Sequence, residues 1–188
     1  MVLITQSGAE TLNIGKRAPT FKDLSGTDGK TYSLDSFKDH PIVAISFTCN
    51  HCPYAQAYEA RFITLAKEYQ PKGIAFIAIN SNDAEAYPDD SFEKMKERAA
   101  QRKFPFPYLR DESQEVAKAF GAVCTPHLFV LNAERNLAYE GRIDDNWKDL
   151  SAVKSHDLKH ALDELLAGQP VRTPRTNPLG CSIKWKDQ

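Results

Sequence analysis

Two apolar runs, Ile42-Val-Ala-Ile-Ser-Phe47 and Gly73-Ile-Ala-Phe-Ile-Ala-Ile79, constrain this chain more than any other feature. Each has the length and β-branched content of a strand buried on both faces. Between them Tyr54, Tyr58, Phe62, Leu65 and Tyr69 recur at spacings of four and three, the stripe of one helix face, and Pro71 with Gly73 end the pattern. Strand, helix, strand of this kind is a crossover unit, and the two strands must lie parallel in one sheet.

The rest of the chain extends this unit. Phe21–Leu24 and Lys30–Ser33 flank Asp28-Gly29, a turn dipeptide, so a hairpin precedes the first buried strand. After an acidic loop, Asp90 and Glu93 read as the capping pair of a helix carrying Phe92, Met95 and Ala99. Pro105 and Pro107 bar that helix from continuing. A short helix with Val116 and Phe120 inside stops at Gly121. Then His127–Leu131 and the segment of Leu137, Tyr139 and Gly141 form an antiparallel pair joined by the turn 132–136. A final helix starts near Ser155, buries Leu158, Leu162, Leu165 and Leu166, and ends at Gly168. The expectation is an α/β domain with a mixed central sheet, helices on both faces and an added N-terminal hairpin. Residues 1–14 read as an arm, 15–168 as the domain, and 169–188 as an extended tail with three prolines.

With 188 residues the chain fits one domain of about 100–200 residues. Lys plus Arg is 24 and Asp plus Glu 25, so no basic field exists to attract nucleic acid or anionic lipid. No apolar stretch approaches a bilayer-spanning length, and the first residues lack the basic and apolar regions of a secretory signal. A soluble, cytoplasmic protein without nucleic-acid or membrane partners is expected.

Only four cysteines are present, too few for a secreted disulfide scaffold: Cys49, Cys52, Cys124 and Cys181. Cys49-Asn-His-Cys52 stands at the junction of the first buried strand and the helix. Two sulfurs three residues apart on a first helical turn can close a tight disulfide ring. The helix N-terminus favours a thiolate, and a protonated His51 favours it further. A thiolate is the nucleophile of thiol–disulfide exchange. A second reading joins Cys49, Cys52, Cys124 and His127 as a tetrahedral zinc set in a binding module; its two halves would have to be built on strand ends, with Pro126 inside one. Haem attachment is excluded because Pro53 stands where that motif needs His. An EF-hand in the loop 80–90 lacks its glycine.

The Cys-x-x-Cys after a buried strand, with Thr125-Pro126 opening a strand about seventy residues on, resembles the thioredoxin-like superfamily. Gly15-Lys-Arg-Ala-Pro-Thr-Phe21 and Asp28-Gly-Lys-Thr-Tyr-Ser-Leu-Asp-Ser-Phe37 are similar to the start of its alkyl hydroperoxide reductase/thiol-specific antioxidant, or redoxin, branch. The whole chain, tail segment Gly180-Cys-Ser-Ile-Lys-Trp185 included, resembles a bacterial peroxiredoxin-like group with this Cys-Asn-His-Cys motif.

The resemblance implies a thioredoxin-like fold, a cis Pro126 facing the cysteine pair, and an enzyme: a thiol–disulfide oxidoreductase. Cys49 would attack a disulfide and Cys52 resolve the mixed disulfide, with His51, Thr125 and Pro126 supporting. Cys124 and Cys181 are candidates for a third redox thiol. No cofactor and no metal are expected, but a disulfide-containing protein or small-thiol substrate and an external reductant are. The alternative from the same branch is a thiol-dependent peroxidase with Cys52 as the peroxidatic sulfur. The proline and hydroxyl that precede that sulfur in peroxiredoxins are replaced by Ile45 and Cys49, which ranks it second. Where thioredoxin has a buried acid six residues before its first Cys, this chain has Val43, leaving solvent as the proton acceptor. A His before the second Cys is similar to protein disulfide isomerase and implies a potential less reducing than thioredoxin's. Arg142, which could assist a thiolate as in peroxiredoxins, reads rather as one half of an exposed salt bridge.

Overall fold

The structure is a computed structural model, and it describes residues 12–186. Nine strands are present among them: β1 (Leu24–Gly26), β2 (Thr31–Tyr32), β3 (Ile42–Phe47), β4 (Ile74–Asn80), β5 (Tyr108–Arg110), β6 (Cys124–Thr125), β7 (His127–Leu131), β8 (Leu137–Gly141) and β9 (Cys181–Ser182). The helices are α1 (Pro53–Tyr69), α2 (Phe92–Arg102), α3 (Glu115–Phe120) and α4 (Asp157–Leu166). Seven strands form one sheet in the order β2-β1-β5-β4-β3-β7-β8, and β6 pairs with β9 in a separate ribbon.

The two apolar runs are neighbours at the centre, parallel from Ile42 opposite Ile74 to Phe47 opposite Ile79. On the other side β3 is antiparallel to β7, and β7 to β8, so the sheet is mixed as expected. Because successive strand residues point to opposite faces, one set of central side chains builds each of two cores. Ile42, Ala44, Phe76 and Val130 meet Tyr58 and Phe62 of α1, Met95 of α2 and Leu158 and Leu162 of α4. Val43, Ile45, Ile77 and Phe129 meet Phe120 of α3, Leu34 and Phe37 after the hairpin, and Ile183 of the C-terminal segment. No helix among the described residues is long and apolar enough to cross a membrane.

Four expectations need correction. The sequence hides β5, three residues behind a proline pair, which sits between β1 and β4 and ties the hairpin to the sheet. The cap of α2 is Ser91, whose hydroxyl accepts the Lys94 N–H; Asp90 ends a short 3-10 turn and points inward. Leu166 ends α4 on the exposed side. Cys49 does not lie in the first helical turn. Pro53 occupies the first position of α1 and biases its predecessor away from helical geometry, so Cys52 is the N-cap, in extended conformation, and Cys49 belongs to the turn before it.

Of the expected arm, residues 1–11 lie outside the described residues, while Leu12 is buried and Ile14 packs on the second core. The C-terminal segment runs along the domain. Thr176 N–H donates to the Glu140 carbonyl, Asp83 N–H to that of Lys184, and Lys186 N–H to the Gln114 side chain. It passes beside the N-terminus of α1, where Cys181 packs on Cys52 and Ala55. Arg172, Arg175 and Lys186 form surface ion pairs with Glu164, Glu140 and Glu112.

Candidate active site at the carboxyl end of the central strands

The Cys-Asn-His-Cys turn leaves the carboxyl end of β3, where open α/β sheets place their ligands, and is held by its own interior residues. Asn50 donates its N–H to Asp90 Oδ1 at 2.6 Å and its side-chain amide to the Asp89 carbonyl at 2.8 Å. Its side-chain oxygen accepts from the Tyr108 hydroxyl, and its carbonyl from Gln56. Behind it, Asn80 at the end of β4 and the Ser81 and Asn82 that follow it are all buried.

Both sulfurs converge on Thr125. Cys49 Sγ is 3.1 Å from its hydroxyl, and Cys52 Sγ is 3.1 Å from its carbonyl. The Thr125–Pro126 peptide bond is cis, as the resemblance implied. Cys49 lines a recess with Thr48, Ala55, Glu59, Pro126 and Ile143. Cys52 lies behind it, packed with Ala55 and the partly buried Cys181. The two sulfurs are closed to solvent to nearly the same degree, Cys49 being 4% exposed and Cys52 0%.

Their acidities are driven apart. Cys52 is pulled down to about 4, first by the hydrogen bond from the Cys49 thiol, then, against its burial, by the Cys181 thiol and the backbone N–H groups of Ala55 and Cys181. The Ala55 amide is one of the unpaired donors of the first turn of α1, which a sulfur at the N-cap can satisfy. Cys49 is pushed well above the ordinary thiol value by that same hydrogen bond, by burial and by the nearby charge of Asp90. The site thus favours the thiolate on Cys52 over one on Cys49, and a Cys52 that keeps its proton donates it to the Thr125 carbonyl.

Cys181 stands opposite Thr125 in the β6–β9 ribbon. Burial, then its contact with Cys52, raises its thiol to about 11. Cys124 is not part of this sulfur cluster. Successive strand residues alternate, so with Thr125 facing the pair, the Cys124 thiol turns to the Pro126 carbonyl at 3.7 Å, and burial raises it to about 12. The zinc set is not brought together either: His127 directs Nε2 toward Glu140 at 3.6 Å and accepts the Val123 N–H at Nδ1. Arg142 donates to Asp157 at 2.7 Å, a salt bridge away from the sulfurs.

The sequence reading missed Asp90. This carboxylate is 0% exposed and accepts four hydrogen bonds: from the Asn50 N–H, the side-chain amides of Asn80 and Asn82, and His51 Nδ1 at 2.6 Å. The only signal was its place beside a polar tripeptide at the end of a buried strand.

A family model described as Redoxin matches residues 13–161. The chain is 24% identical over 160 residues to the thiol-disulfide oxidoreductase ResA of Bacillus cereus (strain ATCC 10987 / NRS 248), covering 85% of this chain and 80% of that protein. It is 30% identical over 107 residues to the chloroplastic peroxiredoxin Q of Triticum aestivum, covering 57% and 45%. A crystal structure of an uncharacterized conserved protein from Geobacillus kaustophilus superposes with a TM-score of 0.89 at 42% identity, covering 95% of each chain. A putative thioredoxin from Neisseria meningitidis superposes with a TM-score of 0.63 at 20% identity, covering 83% of this chain and 93% of that one, so the fold is thioredoxin-like; with the family match spanning most of its length, the chain belongs to the Redoxin family.

Proposed function

We propose that this protein is a thiol–disulfide oxidoreductase whose reaction is carried by Cys49 and Cys52. The observation that carries the reading is the convergence of both sulfurs on Thr125. The name of the Bacillus cereus relative supports the same chemistry. Cys49 meets a disulfide from the Pro126 recess. As its sulfur bonds to one substrate sulfur, its proton passes to the Cys52 thiolate and the substrate S–S bond breaks. Cys52 then attacks Cys49 in the mixed disulfide, giving the Cys49–Cys52 disulfide and a free substrate thiol. An external dithiol, the reductant, restores the pair. Disulfide-bearing proteins and small disulfides are the substrate class, and Cys181 is a third thiol able to share the pair's disulfide.

Replacement tests this directly. Cys49→Ser should abolish disulfide reduction, while Cys52→Ser should accumulate the mixed disulfide on Cys49, visible as a mass adduct removed by reductant. Full activity in Cys49→Ser would refute the reading.

One observation favours a second reading. A thiolate at the N-cap is what a peroxidatic Cys52 would need, its sulfenic acid then being resolved by a neighbouring thiol with loss of water. Rates on hydrogen peroxide and on a disulfide, measured with one dithiol donor, rank the two; a peroxide rate far above the free-thiol background places the peroxidase first.

A further inference from the structure

Breaking a disulfide leaves a thiolate on the departing half of the substrate, and in the reaction proposed above the Cys49 proton passes to Cys52 instead. Acid must come from elsewhere on the Cys49 side. A nitrogen of His51, an oxygen of Asp90 and the sulfur of Cys49 lie within 4.8 Å of one another. His51 is 24% exposed at its side chain, whereas Asp90 is fully enclosed. The imidazole is held on two sides: Nδ1 meets Asp90 at 2.6 Å, and its face stacks on Tyr87 with ring planes 9° apart. Four donors saturate both oxygens of Asp90, so it has no lone pair left for a substrate proton; it holds the ring, as it also holds the Asn50 N–H of the turn. Nucleophile, imidazole and orienting carboxylate are the elements by which acid–base chemistry at a reacting sulfur is recognised.

We propose that His51 is the general acid that protonates the departing substrate thiolate, and that Asp90 is a positioning residue acting through His51. The step rests on the oxidoreductase reading and balances. The Cys49–substrate S–S bond forms, the substrate S–S bond breaks, and the electron pair left on the departing sulfur takes the proton of His51. Neutral His51 regains a proton from water at its exposed edge. Protonated, the ring also offsets the Asp90 charge that opposes a developing thiolate on Cys49. The other charged groups around the ring's outer recess are Asp89, Lys94, Glu97 and Arg98, two of each sign.

A general acid matters only when the leaving thiolate is basic, because a thiol of low pKa leaves without help. The test therefore compares two probes, hydroxyethyl disulfide with an alkyl thiolate and 5,5′-dithiobis(2-nitrobenzoate) with an acidic aryl thiolate. It uses the wild type, His51→Asn, Asp90→Asn and the double variant, with folding verified by circular dichroism. His51→Asn should reduce the rate on hydroxyethyl disulfide about a hundredfold, the low end of what general acids contribute (about 10²–10⁴-fold), and the aryl rate less than twofold. Asp90→Asn, which also loosens the Asn50 anchor, should show the same preference for the aryl probe, and in the His51→Asn background it should add nothing to that selectivity. Equal losses on both probes in His51→Asn, or a further loss of selectivity in the double variant, would overturn the proposal in favour of a structural role. An unchanged alkyl rate in His51→Asn would overturn it too. If Cys49→Ser matched the wild type on both probes, the oxidoreductase reading would fall first, and this inference with it.

Discussion

Between Cys49 and Cys52 stand two side chains with opposite duties. Asn50 turns inward and fixes the loop through four hydrogen bonds, while His51 turns to the protein's edge. The spacing of the cysteines and their place after a buried strand made the sulfur pair legible in the sequence. Asp90 was not legible, because an acid before a helix reads as a cap. Only the fold reveals that Ser91 fills that role and frees Asp90 to face the loop. The lowering of Cys52 has a consequence for stability. With Cys52 near 4 when folded and an ordinary thiol value when unfolded, the unfolded chain binds the extra proton between those limits. Stability contributed by Cys52 is therefore lost as pH falls toward 4 and grows as pH rises toward 9. Above that, the raised value of Cys49 reverses the slope, since the unfolded chain then releases a proton the folded one keeps. Urea unfolding of the reduced protein should show its advantage over Cys52→Ser widening from pH 5 to pH 9. An advantage that is flat or narrows over this range would mean Cys52 is not the thiolate.

At the level of elements, β6 and β9 have two residues each yet decide what covers the sulfurs. The sequence showed that the tail has stiffening prolines and alternating Ile183 and Trp185, but not where it docks, because a two-residue strand carries no periodicity. Length also hid β5, whose place follows from its partners β1 and β4. The close approach of β9 depends on Gly180: a Cβ there would lie 2.1 Å from the Thr125 carbonyl oxygen, far inside van der Waals contact. Gly180→Ala should therefore push β9 off β6, at a cost of about 1–3 kcal/mol as for other overpacked sites. The redox readout is more specific. In the oxidised wild type, a Cys181 thiolate can attack Cys52, freeing Cys49 and moving the disulfide to Cys52–Cys181. Peptide mapping should find both disulfides in the wild type and Cys49–Cys52 alone in Gly180→Ala. Absence of the Cys181 cross-link from the wild type would remove it as a third redox thiol.

Across the whole molecule, the sheet separates two cores of different construction. The one under α1, α2 and α4 is built from long amphipathic helices, and their stripes made it readable in advance. The other is closed by short pieces: α3, the segment after the hairpin, and the C-terminal segment, whose Ile183 is 1% exposed and whose Trp185 packs beside it. A core assembled from pieces without periodicity is one that sequence patterns under-describe. It also depends on its last piece more than a reading of 169–188 as a surface tail implies. Deleting residues 169–188 removes Ile183 from the core, takes from β6 its ribbon partner, and strips the cover from Cys52. Loss of one buried Ile side chain costs about 2–5 kcal/mol. In a chain of this size each kcal/mol shifts Tm by about 2–4 °C, so the truncated protein should melt roughly 4–20 °C lower, with Ile183→Ala alone giving a drop of similar size. Backbone amides at Asp83, which donates to the Lys184 carbonyl, should lose hydrogen-exchange protection in the truncated chain. Iodoacetamide should label Cys52 faster there than in the intact protein. A truncated chain that melts within a degree of the intact one, with Cys52 labelled no faster, would show that the C-terminal segment only rests on a domain already complete at Gly168.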